Sequence, residues 1–273
     1  MIAASIRAKI LVFDSGLGGL TVLRALMKQR PDADFVYAAD DLGFPYGPRP
    51  ESEVVALVMN AMAALIGSEQ PDCVVIACNT ASTLVLPHLR AKWSIPFVGT
   101  VPAIKPAAEF SATRMISILA TPGTVSRDYT RDLVEKFAGH CDVALVGARK
   151  LASLAEAFVQ GEQLDEAEVA AEIAPCFVVS GERRTDCVVL ACTHYPLLKE
   201  QFVRLAPWPV HWIDPAPAIA RRADHVLRDR RAEGQGGFSF RYTSGAKPDE
   251  KLRAALQKIL PARAMAEKAT AQP

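Results

Sequence analysis

The sequence predicts an α/β fold with two pseudo-symmetric lobes, each a mostly parallel sheet flanked by helices, around a functional cleft. Three observations carry this. Short apolar runs alternate with helical segments along most of the chain, the pattern of a parallel sheet covered on both faces. A heptapeptide recurs, DCVVIAC at 72–78 and DCVVLAC at 186–192, differing only by Ile for Leu. The chain has 273 residues, half of them hydrophobic and 22% charged, enough for two modest cores.

The elements follow in order. KILVFD (9–14) reads as a buried strand, SGLGG as a tight turn, and LTVLRALMKQR as a helix. DFVYAAD (34–40) is a second strand, followed by a loop rich in Gly and Pro. SEVVALVMNAMAALIGS (52–68) has helical periodicity. DCVVIAC is a β-branched strand, TASTLVLPHLRAKW a helix and IPFVGTV (95–101) a strand. The pattern then restarts with the strand RMISILAT (114–121), a PGTVS turn and the helix RDYTRDLVEKFAG. DVALVGA (142–148), helices near 150–160 and at 164–180, the strand DCVVLAC and the helix THYPLLKEQFVRL complete it. WIDPAPAIARRADHVLRD reads as loop and helix, and FSFRYTSG (238–245) as a late strand. The expected lobes are 1–100, completed by 211–273, and 101–210. The final ARAMAEKATAQP reads as a fraying helix.

Composition excludes several classes. Thirty-one basic and 30 acidic residues leave a net charge of +1, so nothing global draws the chain to nucleic acid or an anionic membrane. No unbroken apolar run reaches the ~18 residues of a membrane span, and the N-terminus lacks the order of a signal peptide. The expected location is cytoplasmic. Six cysteines in such a chain are expected to be reduced. C-x4-C inside apolar runs is poor zinc spacing, so neither metal nor disulfide is expected. SGLGG is not a dinucleotide fingerprint, and no phosphate-binding G-x-x-x-x-G-K-[ST] occurs.

The repeated heptapeptide carries the chemistry. An odd separation places Cys73 and Cys78 on opposite faces of one strand, and likewise Cys187 and Cys192. Cys73 and Cys187 read as core. Cys78 and Cys192 end their strands before helix-starting residues, Asn79-Thr80 and Thr193-His194, whose plainest role is capping. Two equivalent thiols at one cleft suit inversion of a stereocentre, because one can remove a proton while the other supplies one from the opposite face. A lone nucleophilic cysteine needs no twin. Asp14-Ser15-Gly16 and Pro45-Tyr46-Gly47 follow strands at the same edge, where ligands of such sheets bind. Thr121 is the second-half counterpart of the Asp14-Ser15 region.

FDSGLGGLTVL, FPYG, ACNTAS, the ATPGTV turn and ACTHYPLL, in this order, resemble the glutamate racemases of the aspartate/glutamate racemase superfamily. The likeness covers about residues 9–220. It implies cofactor-independent interconversion of L- and D-glutamate, supplying D-glutamate for peptidoglycan. By position, Cys78 and Cys192 match the two acid/base cysteines, Cys78 acting on the D- and Cys192 on the L-enantiomer. Asp14, His194 and Glu156 match assisting residues, although Lys150 stands where proline is usual near Glu156. Asp14, Ser15, Tyr46, Gly47, Asn79, Thr80, Thr121, Thr193 and His194 match substrate-binding positions. No cofactor or metal is implied, and a homodimer is the expected assembly. Some relatives resemble gyrase inhibitors, for which this near-neutral chain offers no basic patch. Aspartate or hydantoin racemases, single-cysteine decarboxylases and a non-catalytic two-lobed amino-acid receptor are the alternatives. Twin cysteines argue against a decarboxylase, and solvent exchange of the α-proton separates an enzyme from a receptor.

Overall fold

A computed structural model of the chain describes residues 7–262. The expected C-terminal fraying helix lies almost wholly outside the described residues. Strand β1 (Lys9–Asp14) is buried from Ile10 onward and feeds helix α1 (Leu20–Gln29) through the SGLGG turn. β2 (Asp34–Ala39), α2 (Glu51–Glu69), β3 (Cys73–Ile76), α3 (Asn79–Lys92), β4 (Phe97–Gly99) and α4 (Ile104–Phe110) follow. β3 is CVVI with every residue buried, and each such valine contributes roughly 1.5–3 kcal/mol on leaving water.

The pattern restarts with β5 (Met115–Ala120), α5 (Pro122–Val125), α6 (Asp128–Ala138), β6 (Asp142–Gly147), α7 (Leu151–Val159) and α8 (Glu166–Ile173). Pro122 opens α5 at the position where proline's missing N–H costs nothing. Asp165 caps α8 by accepting from the Ala167 and Glu168 amides. The helix expected over 164–180 stops early. A 3-10 turn at Ala174–Cys176 contains Pro175, and a small antiparallel hairpin follows, β7 (Val179–Ser180) with β8 (Arg183–Arg184). Gly181 sits in the left-handed region at φ +60, which turns the hairpin. β9 (Cys187–Leu190), a 3-10 turn (Tyr195–Leu198), α9 (Lys199–Leu205), β10 (His211–Ile213), α10 (Ala216–Val226), β11 (Phe238–Tyr242) and α11 (Glu250–Ile259) end the chain.

The strands form two parallel sheets, ordered β11-β2-β1-β3-β4 and β10-β9-β5-β6. Read from the other edge, the second sheet is β6-β5-β9-β10 and repeats the first sheet's β2-β1-β3-β4. Registers agree residue by residue: Ile10 faces Cys73 as Ile116 faces Cys187, and Phe13 faces Ile76 as Leu119 faces Leu190. The two heptapeptide strands therefore occupy equivalent places. β10 adds to the second sheet, so the chain returns to the first lobe after Ile213, a few residues later than the expected 210/211 boundary. α10 then packs on α1, and β11 closes the first sheet against β2. The short HWI segment gave no separate strand signal in the sequence.

Each sheet is covered on both faces. Cys73 lies in the core with α1 and α10, whereas Cys78 packs on the face carrying α2 and α3. Cys187 and Cys192 divide between two faces in the same way. α2 corrects one expectation: by length and mean hydropathy of 1.3 it is apolar enough to cross a membrane, though only 22% of it is buried. The unbroken-run criterion missed it because Asn60, Gly67 and Ser68 interrupt a stretch of alanine and methionine. Its Val54, Val58, Met62 and Leu65 pack into the first lobe's core.

Candidate active site

Both sheets direct their carboxyl edges at one small pocket. Cys78 and Cys192 line it, each 6% exposed. The same walls carry Ser15, Tyr46, Gly47, Asn79, Thr80, Thr121, Thr193 and His194. Twelve of the expected site residues thus fall in one region, ten lining the pocket and two, Asp14 and Glu156, standing behind it.

Around Cys78 the first lobe supplies the neighbours. β1 ends on Asp14, which is fully buried; its carboxylate accepts from the Gly19 amide at 2.7 Å and from the Thr193 hydroxyl at 3.5 Å. Burial pushes the Asp14 carboxyl up, opposed by the charge of His194 and by the Gly19 amide. The Ser15 hydroxyl lies 3.7 Å from the Cys78 sulfur. Burial also pushes the Cys78 thiol well up, reinforced by Asp14, while the Ala81 amide and Ser15 pull the other way. Cys78 itself is the N-cap of α3, at the helix end whose first amides lack helical partners.

Around Cys192 the second lobe supplies different groups. His194 Nδ1 lies 3.9 Å from the Cys192 sulfur, and His194 Nε2 lies 2.7 Å from Glu156. Burial alone would lower the imidazole, but its bonds to Cys192 and Glu156 outweigh this and hold it well above its ordinary value. The His194–Glu156 contact is largely buried: the His194 side chain is 3% exposed and that of Glu156 14%. Glu156 also accepts from the Leu17 amide at 2.9 Å, crossing between lobes. Thr21 reaches across likewise to the Thr193 carbonyl at 3.2 Å. The glycines at 16 and 18 serve these contacts. A Cβ on Gly18 would stand 2.4 Å from His194 Nδ1, and one on Gly16 would stand 2.9 Å from Glu156. Close approach to these side chains, rather than an unusual φ, requires glycine there.

The remaining wall is polar but uncharged. The hydroxyls of Thr80, Thr121 and Thr124 form a triangle with sides of 3.0, 3.1 and 3.4 Å. Tyr46 is tied to Asp40 through its hydroxyl. Asn79 is 2% exposed, and among the described residues neither its amide nitrogen nor its amide oxygen has a hydrogen-bond partner. A buried amide left unpaired costs about 1–3 kcal/mol, so its presence marks a place for a polar ligand.

Pro45 lines the pocket beside Tyr46 and Gly47, as its place at the carboxyl edge suggests; Phe44 and Ala152, which also line it, and Thr124 and Arg127 beside it were not among the expected site residues. The Phe44 ring lies tilted against His194, with centroids 5.6 Å apart. Arg127, 8% exposed, crosses from the second lobe to the Thr80 carbonyl at 2.6 Å and to Glu51. Phe44 and Thr124 lie inside the FPYG and ATPGTV motifs, whereas Arg127 makes its contacts across the lobes, which no local motif encodes. All six cysteines are free. Among the described residues, no three His, Cys, Asp or Glu side chains cluster as a metal site would need.

The chain is similar to known proteins over nearly its whole length. The profile of the Asp/Glu/Hydantoin racemase family matches residues 21–223. A glutamate racemase of Brucella anthropi is 57% identical over 85% of this chain and 84% of its own. One of Brucella ovis is 54% identical over 91% of each. The crystal structure of Escherichia coli glutamate racemase, in complex with L-glutamate and the activator UDP-MurNAc-Ala, superposes with a TM-score of 0.82 at 36% identity. It covers 93% of this chain and 96% of its own. Fold, pocket and sequence agree: the chain belongs to the Asp/Glu/Hydantoin racemase family and is an isomerase.

Proposed function

We propose that this enzyme is a glutamate racemase that inverts the α-carbon by two-base proton transfer between Cys78 and Cys192. The observation that supports this best is the pair of thiols ending equivalent strands of two equivalent sheets and lining one pocket. The relatives at 54–57% identity carry glutamate racemase as their activity, which supports glutamate over aspartate.

In this reading the Cys192 thiolate removes the α-proton of L-glutamate, and the Cys78 thiol delivers one to the opposite face. The reverse direction exchanges the roles, so each turnover leaves the two sulfurs in swapped protonation states. His194, bonded to Glu156 through Nε2, can donate from Nδ1 to the Cys192 sulfur. Asn79 and the threonine hydroxyls offer neutral donors and acceptors to the substrate's carboxylates and ammonium. Carbanion charge is then stabilised by preorganised dipoles in a closed site, to which the N-terminus of α3, capped by Cys78, contributes. The product D-glutamate would serve peptidoglycan synthesis. The test is incubation with L-glutamate in deuterated water, followed by chiral chromatography. D-glutamate bearing α-deuterium is expected, and binding without exchange or inversion would sink the proposal.

A further inference from the structure

The pocket that holds the two thiols has about 20 Å³ of room, close to that of one water molecule. An amino acid must enter by a route that parts its walls. A second chamber of about 300 Å³ abuts it, and Pro45, Gly47, Thr121 and Ala152 line both. That shared wall joins the first lobe's Pro45–Gly47 loop to the second lobe's α5 and α7. Gly47 and Thr121 meet there: a Cβ on Gly47 would stand only 3.3 Å from Thr121. Slight separation of the lobes at this seam would connect the two spaces.

The outer chamber is mostly proline and alanine, which cannot hold a charged amino acid. It has one charged lining residue, Arg149, just beyond the end of β6. Arg149 is exposed, and among the described residues it has neither an ion-pair nor a hydrogen-bond partner. Its neighbour Lys150 is different: its ammonium pairs with Glu168, and its amide donates to Glu172. An arginine without a counter-ion, lining the outer chamber of a site for an anionic substrate, has the chemistry to take a carboxylate in a forked contact.

We propose that the outer chamber is the substrate's entry subsite and that Arg149 captures a carboxylate of the incoming amino acid there. This rests on the glutamate racemase reading. Arg149 is a positioning residue: it touches the substrate before the closed state and takes no part in proton transfer. Its effect therefore falls on KM and not on kcat.

The experiment compares wild type with Arg149→Ala, Arg149→Glu and Arg149→Lys, using both glutamate enantiomers over a range of sodium chloride. Arg253→Ala, which removes an exposed charge on α11, controls for net charge. Arg149→Ala is expected to raise KM about three- to tenfold for both enantiomers, the scale of one partly screened charge contact. Arg149→Glu should raise it further, Arg149→Lys should restore most of the loss, and kcat should stay unchanged throughout. Salt should raise the wild-type KM and leave that of Arg149→Ala nearly flat. A KM unchanged in both Arg149→Ala and Arg149→Glu overturns the entry subsite while leaving the racemase reading intact. A fall in kcat at constant KM, or an equal KM rise in Arg253→Ala, also overturns it. A wild-type protein inactive on glutamate overturns the racemase reading and this proposal together.

Discussion

Cys78 and Cys192 end sister strands in the same register, yet they meet unlike groups. β1 ends on Asp14 and its counterpart β5 ends on Ala120, so only the first thiol has a carboxylate at the neighbouring strand end. Ser15 stands near Cys78, and the matching Thr121 turns instead to Thr80 and Thr124. Beyond the thiols the chains diverge again. Asn79 begins a 14-residue α-helix, whereas Thr193 and His194 lead into a 3-10 turn, opened by Tyr195-Pro196, before α9. Duplication of the frame places two sulfurs at equivalent strand ends, and local divergence gives each its own neighbours. In the proposed mechanism the first serves a shared substrate and the second serves proton transfer on two opposite faces.

The largest expected effects test the symmetry. Cys78→Ala and Cys192→Ala should each lower racemisation about a thousandfold or more in both directions, since inversion needs both groups. A steady-state assay with either enantiomer measures this. Retention of near-normal turnover in either variant would break the equivalence of the halves.

The next effects test the divergence. His194→Asn should lower turnover about a hundredfold and Glu156→Gln about tenfold. Both losses should fall more on proton removal from L-glutamate, read as single-turnover exchange of the α-proton. Equal losses for both enantiomers would place His194 outside the Cys192 half. Stability should respond to pH in step. His194 binds its proton more tightly folded than unfolded, so its contribution is full below 6.5 and is lost as pH rises through the raised folded value. Denaturant titrations should therefore show wild type losing stability more steeply than His194→Asn from 6.5 upward.

A smaller effect concerns the glycine that lets the lobes meet. Gly18→Ala forces a Cβ to 2.7 Å from the His194 backbone nitrogen and should cost about 1–3 kcal/mol. Gly67→Ala, in open space on α2, should instead stabilise by up to about 1 kcal/mol. Thermal melts of the two variants should move in opposite directions.

The smallest effects belong to the inward-facing partners. Cys73→Ala and Cys187→Ala should each cost about 1 kcal/mol and leave turnover unchanged. If Cys73→Ala were as inactive as Cys78→Ala, the two-face reading of the strand would fall.

What the sequence revealed follows the range of each interaction. Alternation of strand and helix was legible because buried parallel strands read as continuous apolar runs, as in Cys73–Ile76 and Cys187–Leu190. Parity separated Cys73 from Cys78 because an extended chain alternates faces with period two. β10 escaped because its three residues, His211–Ile213, are too few to show a period. The helix expected over 164–180 ends at Ile173 because Pro175 opens a 3-10 turn and Gly181 turns the following hairpin. Within the site, residues in contiguous motifs were found, Asn79-Thr80 and Thr193-His194 among them. Ala152 and Arg127 were not, since they reach the site only through the packing of one lobe on the other; Thr124 lies in the ATPGTV motif and joins Thr121 by a local bond that the motif does not announce.

The most direct test of the face-by-face division uses a glutamate analogue carrying a leaving group on its β-carbon. Elimination needs one base and no opposite donor, so each single-cysteine variant retains what its remaining thiol serves. Cys78→Ala should still eliminate from the L-analogue and fail on the D-analogue, and Cys192→Ala should do the reverse. Equal loss of both enantiomers in both folded variants would contradict the division.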